Sequence, residues 1–349
     1  MTTSRRSRQN PLVRAFILRH VAAQPRSIAA LTATEFGLSR TAVNGYLRRL
    51  IGEGLLQATG RTSARHYALK TIVDEVFEIA DITRSVEEDA VWRFRVLPLI
   101  RDAPRNIIDI CQYGFTEIFN NVIDHSLSDT AVIACTRTYG EIDISVADFG
   151  IGIFRKIQQD FGLIDARTAL LELSKGKLTS DQARHAGEGI FFTSRMFGKF
   201  AILSGDLFYG RVRRSGDEWL VKAGDLKIPV EGTLIKMTIS TDADWTPREV
   251  FDRYEGRDIG FRKTLVPVKL GRYPGEQLVS RSQAKRILAR FDQFSEVMLD
   301  FEGVDDIGQP FADEMFRVFP LSHPEIEIGA INTNEKIDRM IRYVQSAAT

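Results

Sequence analysis

Glu117-Ile-Phe-Asn-Asn121-Val-Ile-Asp-His125 is the stretch on which the reading of this 349-residue chain turns. Glu117, Asn121 and His125 are four residues apart, so a helix carries them on one face. Asn120 and Asp124 flank that face, while Cys111, Phe115, Ile118 and Val122 lie opposite. The pattern predicts a helix that buries one side and presents a carboxylate, two amides, a second carboxylate and an imidazole on the other. Taken alone, that is an ordinary solvated helix face. Two glycine loops downstream change its meaning.

Glu141-Ile-Asp-Ile-Ser-Val-Ala147 alternates, with Ile142, Ile144 and Val146 facing one way, and predicts a strand ending at Asp148. Phe149-Gly150-Ile-Gly152 comes next. A carboxylate there is held beside open backbone that a Cβ would block. It can accept the amino group of adenine, and it is repelled by the carbonyl of guanine at the same place. Gly187-Glu-Gly189 then opens a helix-like run, Ile190 to Phe197. Free amides at a helix start favour phosphate.

With these three pieces in this order, the chain resembles the GHKL ATPases, the Bergerat-fold group of gyrase, MutL, chaperone ATPases, histidine kinases and anti-sigma serine kinases. Glu117-x-x-x-Asn121-x-x-x-His125 is similar to that family's N box, and Asp148-x-Gly150-x-Gly152 to its adenine box. Gly187-x-Gly189-Ile resembles its second glycine box. Gly232-Thr233-Leu, leading into Ile235 to Ile239, resembles its last one. The resemblance covers about residues 90–240. It implies ATP and Mg²⁺, with Asn121 on the metal, Asp148 on adenine, and Gly150, Gly152, Gly187 and Gly189 shaping the pocket. Asp124, His125 and Thr233 would stand beside the nucleotide. Glu117 would be the general base, acting on water or on a hydroxyl. Residues 154–186 would be the ATP lid, whose Lys175, Lys177, Arg184 and His185 are candidates to reach phosphate. Two decoys fail. Asp148-Phe-Gly150 lacks the His-Arg-Asp loop and Val-Ala-Ile-Lys strand of protein kinases. Gly176-Lys-Leu-Thr-Ser lacks the Walker spacing.

Net charge is +1, but residues 1–70 hold twelve Lys/Arg against two Asp/Glu, a balance of +10, and leave −9 for the rest. A basic first domain on an acidic protein is an electrostatic footprint for a polyanion. Pro11 to Ala23 and Ser27 to Glu35 read as helices, Phe36-Gly37-Leu38 as a turn, and Ser39 as the N-cap of a helix to Ile51. Leu55 to Leu69 reads as a hairpin with Gly60-Arg61 near its tip. This order resembles bacterial winged-helix regulators. The predicted double-stranded DNA contacts are Arg40, Asn44, Arg48 and Arg49 on the groove helix and Arg61 on the wing. A winged helix used for protein contacts is the alternative.

In the tail, Thr264 to Leu270, Glu296 to Phe301 and Glu325 to Ile331 read as strands. Arg281 to Gln293, Gln309 to Phe319 and Asn334 to Ser346 read as helices. Val297-Met-Leu-Asp-Phe-Glu-Gly-Val304-Asp-Asp-Ile307 resembles the central segment of a STAS-like domain (the DUF4325 kind). Gly308-Gln309-Pro310-Phe311 stands where anti-sigma-antagonist relatives carry an Asp-Ser-Ser/Thr-Gly segment, so the phosphorylatable hydroxyl is missing and a docking role is expected.

No apolar run reaches the roughly 18–20 residues of a membrane span, and no h-region comes after the basic start. Cys111 and Cys135 read as reduced core residues of a cytoplasmic protein. The expected fold class is multi-domain α/β: a winged helix (1–70), a linker (71–89), an α+β Bergerat-fold sandwich with the GHKL ATP site (90–245), and a STAS-like α/β domain (258–349). The expected function is ATP-dependent signalling or transcription control, in which the ATP module regulates the DNA-binding winged helix and the docking tail. Alternatives are an anti-sigma-type serine/threonine kinase acting on a separate partner and a non-catalytic ATP-binding scaffold. A protein partner for the tail and a homodimer are left open.

Overall fold

The computed structural model describes residues 10–61, 64–82, 86–178, 187–213, 218–222, 231–255, 261–273 and 275–346. Asn10 starts the first helix: its Oδ1 accepts from Leu12 N at 3.0 Å, and Pro11 takes the first turn, where no N–H is needed. α1 (Pro11–His20) is followed by α2 (Ile28–Phe36), a left-handed Gly37, and α3 (Arg40–Gly52). Ser39 Oγ accepts from Ala42 N at 3.2 Å, the cap the sequence predicts. β1 (Leu56–Thr59) and β2 (His66–Leu69) close an antiparallel wing. Val13, Ile17, Val43, Leu47, Leu50 and Leu56 belong to a core separate from the rest of the molecule.

The stretch expected as a linker begins instead with a strand, β3 (Thr71–Ala80). It pairs antiparallel with β4 (Thr130–Thr138) along its whole length and forms the edge of a seven-stranded sheet. Its acidic residues look like a linker in sequence because they sit on the exposed positions of that edge: Asp74, Glu75 and Glu78 are exposed, while Phe77 and Ile79 pack on the main core. α4 comes next, through Glu88–Val91, a π turn at Trp92–Val96, and Leu97–Ile100. The wide turn precedes Pro98, whose missing N–H and ring prevent a regular α bond.

The sheet is completed by β5 (Glu141–Asp148), β6 (Lys199–Ser204), β7 (Leu207–Val212), β8 (Glu218–Lys222) and β9 (Thr233–Ser240). The order is β3-β4-β5-β9-β6-β7-β8, with every neighbour antiparallel. α5 (Arg105–His125) lies on it with Cys111, Phe115, Ile118 and Val122 buried, as their spacing predicts. α6 (Ile153–Phe161), α7 (Ala166–Lys175), α8 (Gly189–Met196) and the short α9 (Pro247–Asp252) complete the layer.

In the tail, β10 (Lys263–Pro267), β11 (Glu296–Asp300) and β12 (Glu327–Ile331) form a parallel sheet in that order. The first strand is shorter than expected, since residues Val268–Gly271 coil into a 3-10 turn. α10 (Arg281–Leu288) also ends early, at a left-handed Arg290 followed by a 3-10 turn, Phe291–Gln293. α11 runs through Gln309–Asp313, a π turn at Glu314–Val318, and Phe319–Ser322, again widening before a proline, Pro320. α12 (Glu335–Ser346) ends the described chain. Among the described residues, no helix is long and apolar enough to cross a membrane.

Candidate functional site

Three strand ends meet at one point. In the register of the sheet Asp148 faces Thr233, and Thr233 faces Ser204. Thr233 Oγ1 accepts from Ile153 N at 2.9 Å, and Ser204 Oγ donates to Gly232 O at 2.8 Å. Asp148 is 5 % exposed. Burial pushes its carboxyl above the usual range, against the pull of donors from Gly150 N–H and from the backbone and hydroxyl of Thr233. Gly150 N donates to Oδ1 at 2.9 Å. A carboxylate has about four lone-pair sites, so these three donors leave acceptor capacity for a ligand.

Gly152 and Gly232 make this convergence feasible. Both have positive φ, 84° and 80°. A Cβ on Gly152 would press on Ser204 Oγ and Gly232 O, and one on Gly232 would overlap the Asp148 backbone. Only glycine fits both the conformation and the space.

In front of Asp148 lies a cavity of about 110 Å³. Ile118, Val122, Ile153, Ile157, Ile190 and Ile235 give it apolar walls, and Asn121, His125, Ser126, Lys156 and Asp160 add polar groups. Asn121, His125, Asp148, Gly152, Gly187 and Thr233, six residues singled out from the sequence, line it together.

Other expectations need correction. Asp124 is exposed and does not line the cavity. Gly150 and Gly189 stand behind the lining; a Cβ on Gly189 would overlap Glu117 Oε2, so the glycine makes room for the base candidate. Glu117 itself is half-buried and sits beside the cavity rather than in it.

Lys175 and Lys177 point away from the pocket. The Lys175 side chain is fully buried and donates to Glu172 Oε1 at 2.6 Å and to Ala289 O at 2.7 Å. Burial pulls its ammonium down to about 8, with Glu172 acting against that. Lys177 donates to Gln293 O at 2.9 Å and lies over the Phe294 ring. Glu172, one turn before Lys175, was the signal available in the sequence. Arg184 and His185 lie outside the described residues.

Sequence reasoning missed two residues that the fold brings in. Lys156 lines the cavity, held by Asp160 at 2.6 Å on the same helix. Glu188 lies between the two glycines, and burial pushes its carboxyl up, with Lys177 opposing. Tyr113 is raised mainly by burial and then by its neighbours Glu117 and Glu188.

In the N-terminal unit, Arg40, Asn44, Arg48 and Arg49 are all exposed on α3, and Arg61 is exposed after β1. Val43, Leu47 and Leu50 occupy the opposite face. No curated protein and no solved structure matches the chain. Residues 283–338, from α10 into α12, match the family described as a STAS-like domain of unknown function (DUF4325).

Proposed function

We propose that residues 90–240 bind ATP with Mg²⁺, and that the chain is an ATP-regulated signalling or transcription-control protein whose winged helix binds duplex DNA. The observation that carries the reading is the buried Asp148 carboxylate, fixed by three donors and facing an apolar cavity between two glycine turns. Apolar walls suit a flat purine, and the carboxylate suits its amino group. Asn121 offers one amide oxygen, and among the described residues no cluster of three His, Cys, Asp or Glu side chains could hold a metal. That donor set fits Mg²⁺, which keeps waters and takes its remaining ligands from phosphate. Bound there, the ion would neutralise phosphate charge. Lys156, which lines the same cavity, would be a cation for phosphate. Glu117 shares the Asn121 face one turn away, within reach of a water or hydroxyl beside the site.

The DNA half rests on the exposed basic face of α3. Only Lys70 separates the wing strand β2 from the edge strand β3, so the winged helix is tethered to the ATP sheet without slack. Nucleotide state in the module would thereby change where the DNA-binding surface sits while leaving its separate core unaltered.

Calorimetry on Asp148→Asn tests the reading. The amide presents a donor where adenine needs an acceptor, so ATP affinity should drop about tenfold or more and preference over GTP should relax. Unchanged affinity would remove Asp148 from the site. In the same assay Glu117→Ala should keep ATP binding and lose about 10²–10⁴-fold in phosphate release, or in label transfer to a protein hydroxyl if the base serves a kinase.

A further inference from the structure

One wall of the cavity stands beside residues that bond to the tail. Leu173 and Leu178 line the cavity. Beside them, Glu172, Lys175 and Lys177 belong to a network with α10 and the turn after it. Arg290 Nη1 donates to Glu172 Oε2 at 3.2 Å, and its other arm donates to Lys177 O and, at 3.0 Å, to Gln293 Oε1. Lys175 and Lys177 donate back to Ala289 O and Gln293 O. From β10, Thr264 Oγ1 donates to Lys175 O at 2.7 Å. At the other end of α7, Arg167 donates to Arg272 O at 2.9 Å, and the Tyr273 hydroxyl donates to Asp165. The apolar residues agree: Leu170, Leu171, Val266, Leu270, Ile287 and Phe291 lie in a single core. Arg290 holds a left-handed backbone, φ 63°, which a non-glycine residue keeps only where its surroundings over-determine it.

We propose that the STAS-like tail acts in cis as the receiver of the nucleotide signal. A ligand that fixes Leu173 and Leu178 fixes α10 and the Phe291–Gln293 turn through the Glu172–Lys175–Arg290 network. The proposal rests on the nucleotide reading of the cavity. It accounts for a tail with no hydroxyl at Gly308-Gln309-Pro310: the tail receives a mechanical input rather than a phosphate. Linkage makes the coupling reciprocal, so a partner that binds the tail and moves α10 changes nucleotide affinity by the same factor.

The test is hydrogen exchange read by mass spectrometry on the full chain, with and without a non-hydrolysable ATP analogue and Mg²⁺. Exchange should slow in residues 117–125, 166–178 and 281–293 together. Arg290→Gly removes the guanidinium while glycine keeps the left-handed backbone without strain. In that variant residues 117–125 should still be protected, residues 281–293 should lose their response, and analogue affinity should weaken at least about fivefold. Protection confined to 117–125 and the Asp148 region in the wild type would overturn the proposal and leave the nucleotide reading standing. No protection anywhere would overturn both. An Arg290→Gly tail that responds like wild type, with unchanged affinity, would overturn the coupling route.

Discussion

The N-terminal helical unit, the proposed winged helix, and the tail flank the same central module, and both read from the sequence as separate domains, yet they are attached in opposite ways. The winged helix keeps its own core. It meets the module across an open crevice of about 760 Å³, with a 3.7 Å ion pair between Arg19 and Asp242 and Leu69 against Gly140. The tail's core is continuous with the module's: Val266, Ile287 and Phe311 lie in one cluster with Phe115 and Ile144 of the module. Between tail and module, polar groups are desolvated and paired. Between winged helix and module, they remain at the surface. An interface of the first kind transmits a displacement, while one of the second kind permits rearrangement.

The largest effects should come from cutting one core and not the other. Glu172→Ala leaves Lys175 and Arg290 as facing cations without their shared carboxylate. Removing one partner of a buried ion network costs about 3–5 kcal/mol. Trp92, Trp219 and Trp245 all lie in the module, so urea unfolding followed by tryptophan fluorescence should report that loss, with tail and module melting together. Leu47→Ala should cost about 2–5 kcal/mol in the winged helix alone and leave the tryptophan transition in place. A tail that unfolds ahead of the module in Glu172→Ala, or a tryptophan transition moved by Leu47→Ala, would break the contrast.

The uneven legibility has a physical cause. Periodicity reports which side of an element is buried, and α5 and α3 show it plainly because their apolar stripes and polar faces are continuous. Asp148 with its glycine turns was legible because close backbone approach leaves glycine little alternative. Which core a face enters is a long-range matter. β3 looked like a linker because an edge strand's outer positions carry Asp74, Glu75 and Glu78, and its partner β4 comes some sixty residues later in the chain. Lys177 looked like a phosphate ligand because a cation after a helix has no visible partner until Gln293 folds back onto it, and Lys175 did so because its pair with Glu172 reads as a surface pair until Ala289 buries it. Lys156 was passed over for the opposite reason: with Asp160 four residues on, it reads as a surface pair, and only the fold turns that face of α6 into the cavity.

A smaller effect sharpens the winged-helix side. In fluorescence anisotropy on duplex DNA with the full chain, affinity should fall with salt, about 0.9 in the log–log slope for each phosphate neutralised. Arg48→Ala or Arg49→Ala should weaken binding to all sequences alike. Arg40→Ala or Asn44→Ala, early in α3, should reduce discrimination between sequences by about 1–3 kcal/mol. Absence of binding at low salt would assign this face to protein contacts.

Scanning calorimetry of the full chain, with and without Mg²⁺-ATP, tests the central claim most directly. Two transitions are predicted: a small one for residues 10–70, unmoved by nucleotide, and a large one for the module and tail together. Nucleotide at about 100 times its dissociation constant should stabilise the large one by about 2.7 kcal/mol, and GTP at the same concentration should do less. A separate third transition for the tail, or a large transition that ATP leaves in place, would contradict it.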